Sequence, residues 1–192
     1  MAVKIEIEPV VVVPDVAPLI HLAAGGVLHL LSSYGRVVIM DAVAFEATRY
    51  PDKPYAKEIA EWLKHGQMKN SNHPVEIQKT EAGYTYKMTV KSDPKYRAKH
   101  AGERAIRDWL ADTLPELGGA VLVIYEDARV PDLLERQKLD GFVMTATTKT
   151  FLHFSERQGL VTSAEELWKK ITSSATTASD KTKMRIHTPL KL

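Results

Sequence analysis

Two acidic positions stand directly behind apolar runs. In PVVVVPD the run Pro9–Pro14 leads into Asp15, and in VLVIYED the run Val121–Tyr125 leads into Glu126 and Asp127. Runs of this length and β-branched content read as buried strands. In an open α/β sheet the ligand crevice lies just beyond the carboxyl ends of the strands, so carboxylates carried there by two strands can converge. Two more acids fall inside segments of helical spacing. Glu46 lies in DAVAFEATRY, a turn from Ala42 and Val43, and Glu103 lies in GERAIRDWL, near a helix start. Converging carboxylates without a His or Cys partner are hard oxygen donors, which suit Mg²⁺ or Mn²⁺ rather than zinc. Such ions keep waters and meet substrates through phosphate oxygens, so Asp15, Glu46, Glu103, Glu126 and Asp127 point to metal-dependent phosphodiester hydrolysis. Taken singly, each acid has a plainer use. An acid after a strand often caps the next helix, which is the preferred reading of Asp41 after VVIM, and a glutamate on a helix is most often solvated.

A second group could face the substrate. Thr145, Thr147, Thr148 and Lys149 follow the run Phe142–Met144, where hydroxyls, helix-start N–H groups and a cation can meet a phosphate. Helix capping explains them equally well. Arg129, beside the fourth acid, could touch RNA or simply make a surface salt bridge. His21 and His29 lie in apolar helical stretches and read as core or rim histidines without a role. Trp62, Trp109 and Trp168 sit at helix-core spacings and read as packing.

The elements that must hold these residues follow from the apolar pattern. Val10–Val13, Val37–Met40, Ala120–Tyr125 and Phe142–Met144 are continuous apolar runs, the mark of a parallel sheet covered on both faces. Between them, Tyr55 to His65 gathers Ile59, Trp62 and Leu63 on one helical face, and Arg104 to Leu114 gathers Ile106, Trp109 and Leu110. Alternating strands and helices predict a three-layer α/β/α sandwich with a central, mainly parallel sheet. The stretch 68–100 differs, because VEIQ and YTYKM alternate around Glu81-Ala82-Gly83, which predicts an inserted hairpin or added strand. The expected organisation is one domain over residues 1–172, followed by a loosely ordered tail over 173–192 rich in Ser, Thr and Lys.

Composition excludes several classes. A chain of 192 residues, 44% apolar and 26% charged, is long enough for one well-buried core. It has no cysteine, which removes zinc ribbons, thiolate nucleophiles, iron–sulfur sites and disulfide scaffolds and is compatible with a reducing cytoplasm. Lys and Arg number 26 against 24 acids, a net +2, so nucleic acid would bind at a local patch rather than through a general basic field. The apolar start, Val10 to Leu31, is broken by Pro14, Asp15, Pro18, His21 and His29, and reads as soluble core rather than a membrane or signal segment. Gly25-Gly26 lacks GxGxxG spacing, and no Walker A, HExxH or GxSxG string occurs.

The order Asp15, Glu46, Glu103, Glu126/Asp127 on an alternating α/β chain resembles the PIN-domain ribonuclease family, which includes bacterial toxins of the VapC type. The likeness covers roughly Val10 to Ile171. VVVPDVAPLIHLAAGGVLHLL is similar to the family's first strand, first acid and opening helices, and VVIMDAVAFEA to its second strand and second acid. AGERAIRDWL resembles the helix bringing the third acid, VLVIYEDAR the strand ending in the fourth, and GFVMTATTKTFLHFSERQGLVTSAEELWKKI the closing strand and helices. The resemblance implies an endoribonuclease using Mg²⁺ or Mn²⁺, with Asp15 as central ligand and Glu126 as fourth acid, Asp127 substituting or assisting. It also implies an RNA substrate, a small antitoxin as partner and a homodimer formed through helices near the domain's start and end. The chain departs from the pattern at Ala17, where many members carry Ser, Thr or Asn, and at Glu126, where a leading Asp is commoner. Two rivals stand beside this reading. One is a catalytically inactive module of the same fold that binds RNA or protein. The other is a flavodoxin-like receiver domain, which expects an acidic pair at the first strand and a strand-end Lys that this chain lacks.

Overall fold

The computed structural model describes residues 9–127, 130, 134, 142–174 and, as backbone, 184–187. The chain begins with β1 (Pro9–Pro14), α1 (Val16–Gly25) and a 3₁₀ turn (Leu28–Ser33), then β2 (Arg36–Met40), α2 (Asp41–Thr48) and α3 (Ala56–Gly66). β3 (Val75–Gln78), α4 (Glu81–Ser92), α5 (Ala101–Leu117), β4 (Ala120–Tyr125) and β5 (Val143–Thr147) follow. The described elements end with α6 (Thr148–Arg157), α7 (Ala164–Ser174) and β6 (Met184–His187).

The strands form one sheet in the order β3-β2-β1-β4-β5-β6. The first five run parallel, with Val12 opposite Val37 and Val13 opposite Val123, and β6 runs antiparallel along β5. Successive strand side chains point to opposite faces. Val11, Val12 and Val13 are nonetheless all buried, as are Val37–Met40 and Ala120–Tyr125, so helices must cover both faces. The protein is therefore the expected three-layer α/β/α sandwich. Among the described residues, no helix is long and apolar enough to cross a membrane.

Two expectations need correction. Of the two alternatives for the stretch 68–100, the added strand is present and the hairpin is not: VEIQ is β3, a parallel edge strand on β2, but YTYKM lies within α4. The Thr80 side chain caps α4 by accepting the Gly83 N–H at 3.0 Å, and Ala82, Tyr86 and Val90 turn to the core at a four-residue period. Alternation over a few residues thus lost to a cap and a helical stripe. The tail is also more ordered than expected, since Ser173 and Ser174 complete α7 and Met184–His187 adds a sixth strand. The rest of 173–192 lies outside the described residues.

The chain leaves β1 for neighbours on one side (β2, β3) and returns to neighbours on the other (β4, β5). The strand order therefore reverses between β1 and β4, where their carboxyl ends and the helices that follow them part and leave a crevice.

Candidate active site

Asp15 stands at that reversal. Its N–H donates to the Ile124 carbonyl at 2.9 Å, tying the ends of β1 and β4 together. Asp15 occupies the N-cap position of α1, yet its side chain makes no capping bond, so the plainer capping role is not the one it plays. Burial pushes its pKa up from 3.8 to about 7, opposed by the Val16 N–H and reinforced by Glu103, Glu46 and Asp127. Four carboxylates therefore face one another, contributed by the end of β1, α2, the first turn of α5 and the segment after β4.

Each neighbour is placed by its element. Glu46 projects from α2 at the exposed rim of the site. The protein around it and then Glu103 hold its pKa above the ordinary range, while Arg49 and Arg97 pull it down. Glu103 arrives through a close approach. A Cβ on the preceding Gly102 would lie 2.9 Å from Asp15 Oδ1 and 3.1 Å from Val43 Cγ2, so only a glycine lets α5 press its first turn against Asp15. Asp127 follows β4 and lies within reach of Glu103 and of His100. Ligand atoms of these three residues fall within 4.8 Å of one another.

Glu126 goes the other way. Its Oε1 accepts the Thr148 N–H at 3.0 Å and lies 3.4 Å from His21 Nδ1, with only 8% of its side chain exposed. Its Oε2 is buried with no hydrogen-bond partner. Because adjacent residues leave a strand in opposite directions, one acid of the Glu126-Asp127 pair must turn inward. Asp127 is the acid that acts on Asp15, and the expectation that Glu126 leads is corrected.

Of the expected substrate-side residues, Thr147, Thr148 and Lys149 have partners of their own. Thr145 is fully buried within β5, and its hydroxyl has no partner. Thr147 caps α6 by accepting the Thr150 N–H at 3.3 Å. Thr148 is fully buried, with its hydroxyl 3.4 Å from His21 Nδ1 and its N–H used by Glu126. Lys149 lies 3.2 Å from Glu165 of α7, at salt-bridge distance. Capping, packing and an ion pair thus engage these side chains. Arg129 lies outside the described residues. Asp41 does not cap its own helix; its carboxylate accepts from Thr80 N at 3.0 Å, Thr80 Oγ1 at 2.8 Å and Lys87 Nζ at 2.8 Å, anchoring α4. His21, expected to be a core or rim histidine, is fully buried between Glu126, Thr148 and the edge of Trp168, whose ring centroid is 5.9 Å away.

Sequence reasoning missed His100. Its Nδ1 lies 3.0 and 3.1 Å from the two oxygens of Glu103, which adds an imidazole to a site read as carboxylate alone. The i,i+3 spacing of His100 and Glu103 was visible, but nothing in the sequence placed either beside Asp127. A divalent cation fits this donor set. Burial first, and the neighbouring carboxylates after it, disfavour the charged form of Asp15, and a cation held among these oxygens would offset both.

No protein-family model matches the chain, and no curated protein matches it.

Proposed function

We propose that the protein is a divalent-metal-dependent ribonuclease of the PIN type. The observation that carries the reading is the meeting of Asp15, Glu46, Glu103 and Asp127 at the point where the strand order reverses. Asp15, Glu103 and Asp127 would hold Mg²⁺ or Mn²⁺. A bound ion would supply Lewis acidity that offsets charge on the phosphate oxygens and lowers the pKa of a coordinated water. Glu46, exposed at the rim and held above the ordinary carboxylate range, is placed to accept a proton from a water entering the site.

Two arginines beside these acids, their N–H groups now donating to Tyr86, Tyr96 and Pro94 among others, would be the partners of a phosphate backbone. The guanidinium of Arg49 lies 4.4 Å from the centroid of the Tyr50 ring and that of Arg97 lies 4.5 Å from it, and both act on Glu46. Stacked guanidinium and aromatic groups suit single-stranded RNA, whose phosphates and unpaired bases need both.

The test is purified protein on mixed RNA with Mn²⁺, with Mg²⁺ and with chelator. Cleavage is expected with the metals only, and Asp15→Asn should abolish it while leaving the circular dichroism spectrum unchanged. Metal-independent cleavage, or full turnover by folded Asp15→Asn, would overturn the assignment. Ala17 favours a second reading, a non-catalytic module, because it offers no polar contact beside Asp15; binding of RNA without cleavage in the same assay would select it. If the enzyme is the toxin of a pair held by a small antitoxin, expression alone should arrest bacterial growth, and Asp15→Asn should relieve the arrest.

A further inference from the structure

The acid site contains a nitrogen donor that its carboxylates alone do not explain. His100 precedes α5, its imidazole is 38% exposed, and Nδ1 lies 3.0 Å from Glu103 Oε1. A salt bridge within one helix turn would account for that contact. It would not account for Asp127, which arrives from the end of β4 and brings a carboxylate oxygen within 4.8 Å of both. Two chain segments far apart in sequence thus deliver one imidazole and two carboxylates to a single small volume. Asp15 brings a further carboxyl to the same volume from the end of β1, buried and acted on by Glu103, Glu46 and Asp127.

Donor chemistry then decides which ion such a volume prefers. Mg²⁺ and Ca²⁺ are hard ions that take oxygen and gain little from imidazole. First-row transition ions accept imidazole readily, with affinity rising from Mn²⁺ through Co²⁺ towards Cu²⁺. We propose that His100 is a ligand of the cation held by Glu103 and Asp127, and that it biases the site towards Mn²⁺ and Co²⁺ over Mg²⁺. His100 Nδ1 lies 3.0 and 3.1 Å from the two Glu103 oxygens, so a cation seated between them would take the neutral imidazole nitrogen and a carboxylate oxygen together. The inference deepens the proposed cation site and rests on that reading.

The ions themselves are the probes, added to metal-free full-length protein. Pulsed electron paramagnetic resonance of bound Mn²⁺ should show nitrogen modulation from an imidazole. Titration calorimetry should show Mn²⁺ and Co²⁺ binding at least about tenfold more tightly than Mg²⁺. His100→Asn and His100→Gly suit the positive φ at this position and keep the backbone in place. Both should lose the nitrogen signal and about 10- to 100-fold in Mn²⁺ and Co²⁺ affinity, with Mg²⁺ affinity unchanged. An oxygen-only Mn²⁺ spectrum in wild type, or an equal loss for all three ions, would overturn the role of His100 while leaving metal-dependent cleavage intact. Failure of every ion to bind the wild-type protein at millimolar concentration would overturn the cation site itself and the nuclease reading with it.

Discussion

Asp15 is the residue on which electrostatics and stability meet. Its carboxyl titrates near 7 in the folded, metal-free protein and at 3.8 when unfolded, so the folded state favours the protonated form. The unfolded chain therefore releases its proton first as pH rises, and stability falls between about pH 4 and pH 7, with the full loss present above that. The magnitude is on the order of 4 kcal/mol at most, and partial access to water reduces it. Metal-free protein should thus melt at a higher temperature near pH 5 than near pH 8. Asp15→Asn, which removes the ionisable group and keeps its shape, should flatten that dependence and raise the melting temperature at the higher pH. Equal melting temperatures at the two pH values in wild type would refute it. Residue types after apolar runs were enough to single out Asp15 and the Glu126-Asp127 pair from the sequence, and Glu46 and Glu103 were drawn from segments of helical spacing. The choice within the pair was not legible, because it turns on which way the chain leaves β4. His100 was not legible either, since it lies in a stretch without periodicity and its meaning comes only from Asp127.

At the scale of elements, α4 shows how a buried acid can be structural rather than catalytic. Asp41 accepts three hydrogen bonds from Thr80 and Lys87, and its carboxylate occupies the space where Gly83 would otherwise carry a side chain. Asp41→Ala should leave the Thr80 N–H and hydroxyl without a partner and destabilise the protein by about 2 to 3 kcal/mol, read from urea unfolding. Gly83→Ala tests the same contact from the other side. In an open helix the change would stabilise by about 1 kcal/mol. Here the new Cβ would lie 2.0 Å from Asp41 Oδ1, so α4 must shift and the variant should be less stable than wild type. A more stable Gly83→Ala would mean that α4 does not rest on Asp41. The central strands were legible because continuous Val and Ile runs have few other uses. α4 was misread because YTYKM alternates locally, and its helical stripe shows only when Ala82, Tyr86 and Val90 are taken together. β6 depends on pairing with β5, which no local pattern announces.

At the scale of the whole molecule, the site exists only when the fold does. Its groups come from positions 15, 46, 100, 103 and 127, and they meet because β1 and β4 are neighbours across the reversal of strand order. No fragment of the chain presents the same set, so a cation that binds the cluster binds the folded state alone. Such a ligand stabilises the fold by about 2.7 kcal/mol at a free concentration of 100 times its dissociation constant. For a domain of this size each kcal/mol moves the midpoint by about 2 to 4 °C, so saturating Mn²⁺ should raise the melting temperature by about 5 to 10 °C. The rise should be larger near pH 8 than near pH 5, because at the higher pH the ion offsets ionised carboxylates and at the lower one it must displace the Asp15 proton. Asp15→Asn should keep little of it, and chelator should reverse it in wild type. A melting curve indifferent to Mn²⁺ and Mg²⁺ in both proteins would mean that the four carboxylates meet without forming a cation site.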